Sequence, residues 1–226
     1  METSLHDELK RHYAGPVART EVVLGNYRID AVRRGRLIEI QHGSLAAIRD
    51  KVRSLLEEHR VLVVKPIVAT KILVKHAGPG EPALSSRKSP KRGRLLDAFD
   101  ELVYFTRVFP HPRLTVEVVM VDVEEWRYPG HGRRRRWRRN DHVLADQKLL
   151  AVGKSVRLRR AADLVKLMPA PLPTEFHTGI LSEHCDIDRH TAQRIAYCLR
   201  KMKAAEQFGK QGNTLLYRLP RRRGAA

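Results

Sequence analysis

The chain of 226 residues is 42% hydrophobic, which is enough apolar side chain to form a packed core and excludes a disordered polycation. Its 44 lysines and arginines outnumber 25 acidic residues, so the formal net charge is +19 and the composition predicts a polyanionic partner, of which nucleic acid is the commonest. A membrane surface is disfavoured, because no apolar run approaches the roughly 20 residues that span a bilayer and no helix pairs a clean apolar face with an all-basic one.

The first half of the chain alternates helical and strand patterns. The N-terminal "METSLHDELKRHY" predicts a short helix that begins near Ser4 and carries Glu8, and it is too acidic and polar for a signal peptide. The patterns that follow are strands in "VARTEVVLG", "YRIDAV" and "RLIEIQ", a helix in "SLAAIRDKVRSLLEEH", a long strand in "RVLVVKPIVATKILVKH", a second amphipathic helix in "LLDAFDELVYF" and a strand in "LTVEVVMVDVEEW". This order predicts an α/β domain with a mixed sheet over residues 1–126.

A hairpin in this domain places acidic side chains in an apolar-rich setting. If Arg34 and Gly35 form a two-residue type I′ turn, then Asp30 directly faces Glu39. Side chains alternate along a strand, so Asp30, Glu39 and Gln41 share one face. Two facing carboxylates repel each other, and a divalent cation such as Mg²⁺ between them would relieve the repulsion. The alternative is a polar face turned to solvent, where nearby arginines screen the acids.

This hairpin resembles the catalytic core of the PD-(D/E)XK nucleases, in which an acid in the second strand precedes an E-x-K or E-x-Q pair in the third. Asp30 and the run Glu39-Ile40-Gln41 occupy those positions. The segment "IEIQHGS" is most similar to the competence-protein CoiA-like branch and, more distantly, to archaeal Holliday-junction resolvases. The resemblance covers roughly residues 4–76 and, more loosely, the chain to residue 126. It implies a restriction-endonuclease-like αβββαβ core.

The resemblance also implies a metal site. Asp30 and Glu39 would hold one or two Mg²⁺ (or Mn²⁺) ions, and the backbone carbonyl of Ile40 is a further candidate ligand. Glu8 on the first helix would complete the acidic cluster, with Glu21 as the alternative for that role.

Gln41 departs from the commonest family pattern, which has lysine at this position. A carboxamide can position the attacking water but supplies no positive charge, so catalytic competence depends on another cation. Lys65 or Lys71 on the next strand could supply the charge, although a solvated strand residue is the simpler interpretation of each lysine.

Two basic segments interrupt these patterns. The first, "GPGEPALSSRKSPKRGR" at residues 78–94, predicts a long loop whose cations flank the nuclease cleft, namely Arg87, Lys88, Lys91 and Arg92. The second, residues 127–157, predicts an Arg-rich linker. Its arginines suit a phosphate backbone and its tryptophan suits stacking on a base, these residues being Arg133, Arg134, Arg135, Arg136 and Trp137. A flexible charged tether is the alternative for this second segment.

The C-terminal segment, residues 158–226, returns to helical patterns and ends in a hairpin. "TGILSEHC" and "RHTAQRIAYCLRKM" predict two helices, and "AEQFGKQGNTLLYRL" predicts two short strands. Over residues 158–219 the pattern resembles a winged helix-turn-helix domain. That resemblance implies base-edge and phosphate contacts in the major groove from the second helix and the wing, through Arg189, His190, Gln193, Arg194, Lys201, Lys210 and Arg218. A surface for protein pairing, or a merely solvated basic face, is the alternative.

The two cysteines, Cys185 and Cys198, suit a reducing compartment, so a cytoplasmic protein is expected. Their spacing matches no standard zinc module, although His184 and His190 lie nearby in sequence. We therefore expect no zinc, no small-molecule cofactor and no membrane association.

Together these patterns predict a Mg²⁺-dependent endodeoxyribonuclease that hydrolyses DNA phosphodiester bonds and is targeted by its C-terminal winged helix. Because many nucleases of this superfamily act in pairs, a homodimer is compatible with the resemblance. One alternative is a non-catalytic DNA-binding regulator with a degenerate nuclease core. The other is a basic RNA-binding protein.

Overall fold

The structure is a computed structural model that describes residues 3–16, 18–130 and 142–220. Within these ranges the first 158 residues are organised around a seven-stranded mixed sheet. The helices and strands of this part are α1 (Ser4–Ala14), β1 (Arg19–Leu24), β2 (Tyr27–Arg33), β3 (Arg36–Ile40), α2 (Arg49–Leu55), β4 (Arg60–His76), β5 (Ala83–Lys88), α3 (Phe99–Leu102), β6 (Leu114–Pro129) and β7 (His142–Leu158). Short 3₁₀ turns precede α2 and flank α3. The predicted α/β class with a mixed sheet is confirmed.

The strand order is β1-β2-β3-β4-β6-β7, and β5 pairs with the second half of β4. The β3–β4 and β4–β6 pairs are parallel, and the other pairs are antiparallel. Strand β4 is rich in valine and isoleucine, which favour extended backbone in a buried sheet. Its pairing with β3 ends at Val64, its pairing with β5 begins at Ile72, and Pro66 falls between the two.

Two layers of apolar side chains cover the sheet. Helix α1 packs on one face, where Leu5 and Leu9 are fully buried against residues of β2, β3, β4 and β6. Helices α2 and α3 lie with the cluster on the other face, which includes Val52 and Phe99. Helix α1 therefore lies on the opposite side of the sheet from α2, and the β2–β3 hairpin lies between them. This position is what brings both helices to the acidic residues of the hairpin.

The predicted linker over residues 127–157 is wrong in its described part. Strand β6 continues to Pro129, and residues 142–158 form β7, which pairs with β6 from Val116↔Leu158 to Pro129↔His142. Most β7 side chains are exposed or half-buried, as expected of a strand at the sheet edge. An edge strand needs few apolar residues, so its composition looks like that of a linker. Residues 131–141, with the predicted phosphate-contacting arginines 133–136, lie outside the described ranges.

The predicted loop over residues 78–94 also contains a strand. Residues 83–88 form β5, and every one of its side chains is exposed. With no buried face, β5 lacks the alternating apolar pattern from which a strand is recognised in sequence.

The C-terminal segment contains two helices and a three-stranded sheet. Its elements are a 3₁₀ turn (Ala161–Leu167), β8 (Glu175–Phe176), α4 (Thr178–Cys185), α5 (Arg189–Lys201), β9 (Glu206–Gln211) and β10 (Thr214–Arg218). The sheet order is β8-β10-β9, and both pairs are antiparallel. Asp188 caps α5 by accepting a hydrogen bond from the N–H of Thr191 at 3.0 Å. No helix within the described ranges is long and apolar enough to cross a membrane.

This segment packs directly on the first 158 residues. One cluster of buried residues contains Val52 and Phe105 from the first part together with Leu164, Ile195 and Leu199 from the second. The segment is therefore held against α3 by a shared apolar core, whereas the sequence predicted two domains joined by an Arg-rich linker.

Polar contacts cross the same boundary. The guanidinium of Arg94 donates to the carbonyls of Cys185 and Asp186, at 3.3 and 3.1 Å, and Arg194 forms an ion pair with Asp100. These contacts tie α4 and α5 to the region of α3.

Candidate active site and nucleic-acid interface

The β2–β3 hairpin has the predicted two-residue turn. Arg34 and Gly35 both have positive φ, +48° and +72°, as a type I′ turn requires. The register runs from Arg33↔Arg36 to Ala31↔Ile38 and ends just before Asp30 and Glu39. Beyond it the side chain of Asp30 joins the strands, because its Oδ2 accepts a hydrogen bond from the N–H of Ile40 at 2.7 Å.

Asp30 is a partly buried carboxylate held by cationic and N–H donors. The Nε2 of His6, on α1, lies 3.3 Å from its Oδ1, and the Asp30 side chain is 18% exposed. Burial by itself would raise the pKa of Asp30. The His6 hydrogen bond, the Ile40 N–H and the charges of His6 and Lys51 outweigh burial and lower the pKa below its ordinary value. Asp30 therefore stays ionised at neutral pH.

Glu39 lies deeper than Asp30 and is only 4% exposed. Its Oε2 accepts a hydrogen bond from the Nζ of Lys51, on α2, at 2.7 Å, whereas its Oε1 is buried with no hydrogen-bond partner within the described residues. Burial, the largest cause, and the charge of Asp30 raise the pKa of Glu39, Lys51 lowers it, and the net effect is a rise from the ordinary 4.5 to about 7. The two acids thus have opposite pKa shifts.

The lysine that the structure places at this site is Lys51, which the sequence analysis did not identify. Its ammonium contacts Glu39 and also donates to the carbonyl of Arg28. Neither predicted lysine is placed this way. Lys65 donates to the carbonyls of His42 and Gly43, at 2.9 and 2.5 Å, and Lys71 pairs with Glu125.

Gln41 lies just beyond the end of β3. Its Nε2 donates to the carbonyl of Ser44 at 2.9 Å, and its backbone N–H donates to Val64. The carboxamide therefore closes the loop that leads into α2. That contact differs from the water-positioning role that the family resemblance implied.

Glu8 does not complete the acidic cluster. Its Oε2 accepts a hydrogen bond from the backbone N–H of Leu149 on β7, at 2.6 Å, and it is His6 on the same helix that contacts Asp30. The alternative, Glu21, pairs with Lys10 and Arg28 instead. Within the described ranges, no group of three or more His, Cys, Asp or Glu side chains is placed to hold a metal ion. A metal ion at the hairpin would therefore have the carboxylates of Asp30 and Glu39 as its ligands.

The donor set of the hairpin suits a divalent cation of the Mg²⁺ type. Such ions take oxygen ligands and are commonly held by one or two protein carboxylates with water and substrate phosphate. Asp30 is ionised, and Glu39 Oε1 is a buried oxygen that still lacks a partner. A buried carboxylate oxygen without a partner is costly, and a cation or an ordered water would satisfy it. These two carboxylates therefore fit the ion.

A cleft of about 560 Å³ lies at the second half of β4, where several cations of the predicted basic loop come together. Arg87, Lys91 and Arg92 line it, while Lys88 is exposed on β5 and lies outside the lining. Lys71 and Arg127 also contribute to the lining. We call this feature the basic cleft.

The predicted DNA-binding residues of α5 are partly exposed and partly engaged. Arg189, His190 and Gln193 are exposed, and Lys201 is exposed with its ammonium 5.9 Å from the ring of Tyr197. Arg194 is instead paired with Asp100 near α3. His190 also contacts the guanidinium of Arg194 through its Nδ1 at 3.3 Å, so the exposed side chains of this face that the structure leaves most open are Arg189 and Gln193.

The two predicted wing residues differ in the same way. Lys210 is exposed on β9, whereas Arg218 on β10 pairs with Glu175 and lies over the ring of Phe208 at 4.2 Å. Lys210 is therefore the freer of the two cations.

The fold and site define an α/β protein with a buried acid, Glu39, beside a partly buried one, Asp30, and with a large excess of positive charge. The chain belongs to the family described as "Domain of unknown function (DUF8091)", whose model matches residues 3–159. An "Uncharacterized protein" of Treponema pallidum (strain Nichols) is 28% identical to it over 221 residues, which are 96% of this chain and 85% of the relative. No solved structure matches the chain. The family match ends one residue after β7, so β7 belongs to the family segment.

Proposed function

We propose that this protein is a metal-dependent DNA endonuclease whose centre is the pair Asp30 and Glu39. The observation that carries the proposal is the charge of Lys51 acting on both carboxylates, beside a buried Glu39 oxygen that has no hydrogen-bond partner among the described residues. The surrounding charge supports the substrate class, because the chain carries a net +19 and DNA is a polyanion.

Asp30 and Glu39 are the residues that would hold a Mg²⁺ or Mn²⁺ ion. Such an ion, when bound, supplies positive charge at the scissile phosphate and lowers the pKa of a water molecule. The protein's own residues prepare the site for it: His6 and the N–H of Ile40 keep Asp30 ionised and fix its orientation.

Two further roles follow for the groups around Glu39. With a pKa of about 7, Glu39 is ionised in part at neutral pH, and the ionised form is the one that can bind a cation. Lys51 offers an ammonium at the same place, where it can stabilise negative charge on a phosphate oxygen. In this proposal Lys51 takes the part that the family resemblance gave to the position of Gln41.

The C-terminal segment supports a role in DNA binding. Its order of a helical turn, a strand, two helices and a β-hairpin resembles a winged helix, and the exposed side of α5 carries Arg189, His190 and Gln193. We propose that this face contacts duplex DNA through the major groove. Because α5 is packed against the region of α3, DNA bound there would be held in a defined position relative to the acidic pair.

Cleavage assays with a matched pair of variants test the proposal. Wild-type protein is incubated with linear, branched and single-stranded DNA in Mg²⁺ and in EDTA, beside Asp30→Asn and Asp50→Asn. Asp50 is the control because it is an exposed aspartate of α2. We expect Mg²⁺-dependent cleavage by wild type and Asp50→Asn, and its loss in Asp30→Asn with DNA affinity unchanged. No cleavage of any substrate by wild type would refute the enzyme.

One observation favours a second candidate, a DNA-binding protein without catalysis. Lys51 and His6 already stand beside the two acids, and no third metal-binding side chain joins them in the described part of the chain. The same assay separates the candidates, because the second predicts tight binding with no cleavage in Mg²⁺. Competition by RNA at matched salt separates both from an RNA-binding protein, since charge-driven affinity depends strongly on salt.

A further inference from the structure

The basic cleft has the features of a built binding site. Strand β5 pairs with β4 and forms one wall, and the chain that follows β5 runs back along β4. There the N–H of Ser89 donates to the carbonyl of Lys71 at 2.8 Å, and the N–H of Gly93 donates to that of Val68 at 3.1 Å. A Cβ at Gly93 would meet the Val68 carbonyl oxygen at 2.3 Å, so this close approach requires glycine. The shape of the cleft is therefore set by backbone contacts.

Positive charge in the cleft exceeds negative charge by a wide margin. Lys71 and Arg127 share the buried carboxylate of Glu125, which also accepts from Gln147 at 3.1 Å. The Glu125 carboxylate holds these two cations in place. Burial alone would raise the pKa of Glu125, but its hydrogen bonds to Lys71, Arg127 and Gln147 outweigh burial and lower the pKa.

The remaining three cations of the lining have no such partner. No carboxylate within the described ranges pairs with Arg87, Lys91 or Arg92. Five cations are thus opposed by one acid, which is the charge pattern of a site for several phosphates.

The cleft and the acidic pair lie at different levels along β4. Glu39 pairs with Val63 of this strand, whereas the cleft lining begins at Val68. At roughly 3.3 Å per residue, Val68 lies about 17 Å along the strand from Val63. A single strand of DNA has to span this distance to reach both features.

The size of the cleft limits what it can hold. A volume of about 560 Å³ lies in the range of pockets for small molecules, roughly 300–1,000 Å³. It can enclose the sugar-phosphate backbone of one strand but not a duplex. We propose that the basic cleft binds the phosphates of single-stranded DNA. Combined with the proposed nuclease function, on which this last step rests, the substrate is a duplex with a single-stranded overhang or flap that continues from the cleavage point into the cleft.

Salt-dependent binding in EDTA tests the cleft without any need for cleavage. Affinities for a labelled single strand and for a blunt duplex of the same length are measured by fluorescence anisotropy from about 50 to 200 mM salt. The cleft variant is Arg87→Ala with Lys91→Ala, because both side chains are exposed and neither forms an ion pair with a described residue. The control is Arg60→Ala with Lys154→Ala, which removes the same two charges from exposed positions outside the cleft lining.

Two lost phosphate contacts should lower the slope of log affinity against log salt for the single strand by about 1.4. Duplex binding by the cleft variant and single-strand binding by the control should match wild type. Thermal melts of the two double variants verify that both are folded. Equal single-strand slopes in cleft and control variants would overturn the proposal. Equal losses on strand and duplex, or tighter binding of a matched RNA strand than of DNA, would overturn it as well.

The outcomes also separate this inference from the nuclease proposal. A reduced single-strand slope without cleavage by wild type would support the cleft and refute the enzyme. Mg²⁺-dependent cleavage of an overhang substrate that is equally fast in the cleft variant would support the enzyme and refute the role of the cleft.

Discussion

Replacing Glu39 by glutamine should change how stability depends on pH. The pKa of Glu39 is about 7 in the folded protein against 4.5 ordinarily, so the folded state holds this proton more tightly than the unfolded state does. The contribution of protonated Glu39 to the free energy of unfolding is fully present below about pH 4.5 and is lost as the pH rises through about 7. A change of that size corresponds to about 3 kcal/mol, as an order of magnitude. Glutamine does not titrate, so Glu39→Gln loses this contribution to the pH profile.

Urea unfolding of wild type and Glu39→Gln from about pH 4.5 to about pH 8.5 measures the effect directly, because the difference between the two free energies of unfolding removes the contribution of all other groups. We expect the wild type to lose about 3 kcal/mol relative to the variant across this range. The control is Glu58→Gln, an 84% exposed acid, which should run parallel to wild type. A difference between wild type and Glu39→Gln that stays constant with pH would refute the raised pKa.

Magnesium provides a second readout of the same residue. A cation that binds the folded state alone raises stability by mass action. If Glu39 is a ligand, adding Mg²⁺ at about pH 8.5 should raise the Tm of wild type and leave that of Glu39→Gln nearly unchanged. An equal rise in both proteins would place the ion elsewhere.

Two further substitutions test the neighbouring residues. Lys51→Met should lower the cleavage rate about 10²-fold and raise the pKa of Glu39 above its wild-type value, because the ammonium no longer stabilises the Glu39 carboxylate. Lys51→Arg keeps the charge and should lose less of the cleavage rate. Equal losses of cleavage rate in the two variants would argue against an electrostatic role of Lys51. Asp100→Ala should release Arg194 at a cost in stability of about 1 kcal/mol, since Asp100 is 55% exposed and Arg194 is partly buried. Gel-shift affinities for duplex DNA should then rise, and weaker binding would show that Arg194 serves the contact with α3.

The acidic hairpin shows how far local sequence could lead. The two-residue turn depends on Gly35 and a neighbour that accepts positive φ, and strand alternation then sets which residues face each other. Both effects act within a dozen residues, so the turn and the pairing from Arg33↔Arg36 to Ala31↔Ile38 could be predicted. That Asp30 faces Glu39 stays a prediction. The identity of their partners could not be predicted, because His6 and Lys51 come from helices on opposite sides of the sheet.

The errors have equally specific causes. Strands β5 and β7 were missed because β5 has no buried side chain and β7 lies at the sheet edge, and neither therefore shows apolar alternation. Glu8 was predicted in the acidic cluster because a helix was expected there, but the rotation of that helix turns it towards the backbone of β7.

The sequence by itself determined the class of the fold, the register of the hairpin and the excess of positive charge, because each depends on composition or on neighbours close along the chain. Only the tertiary structure decided what surrounds the acidic pair. Packing of α1 and α2 on the two faces of the sheet brings a histidine to Asp30 and a lysine to Glu39, and the return of residues 89–93 along β4 gathers scattered cations into one cleft. Such contacts join residues far apart in sequence, and their geometry follows from how the helices and loops pack on the sheet.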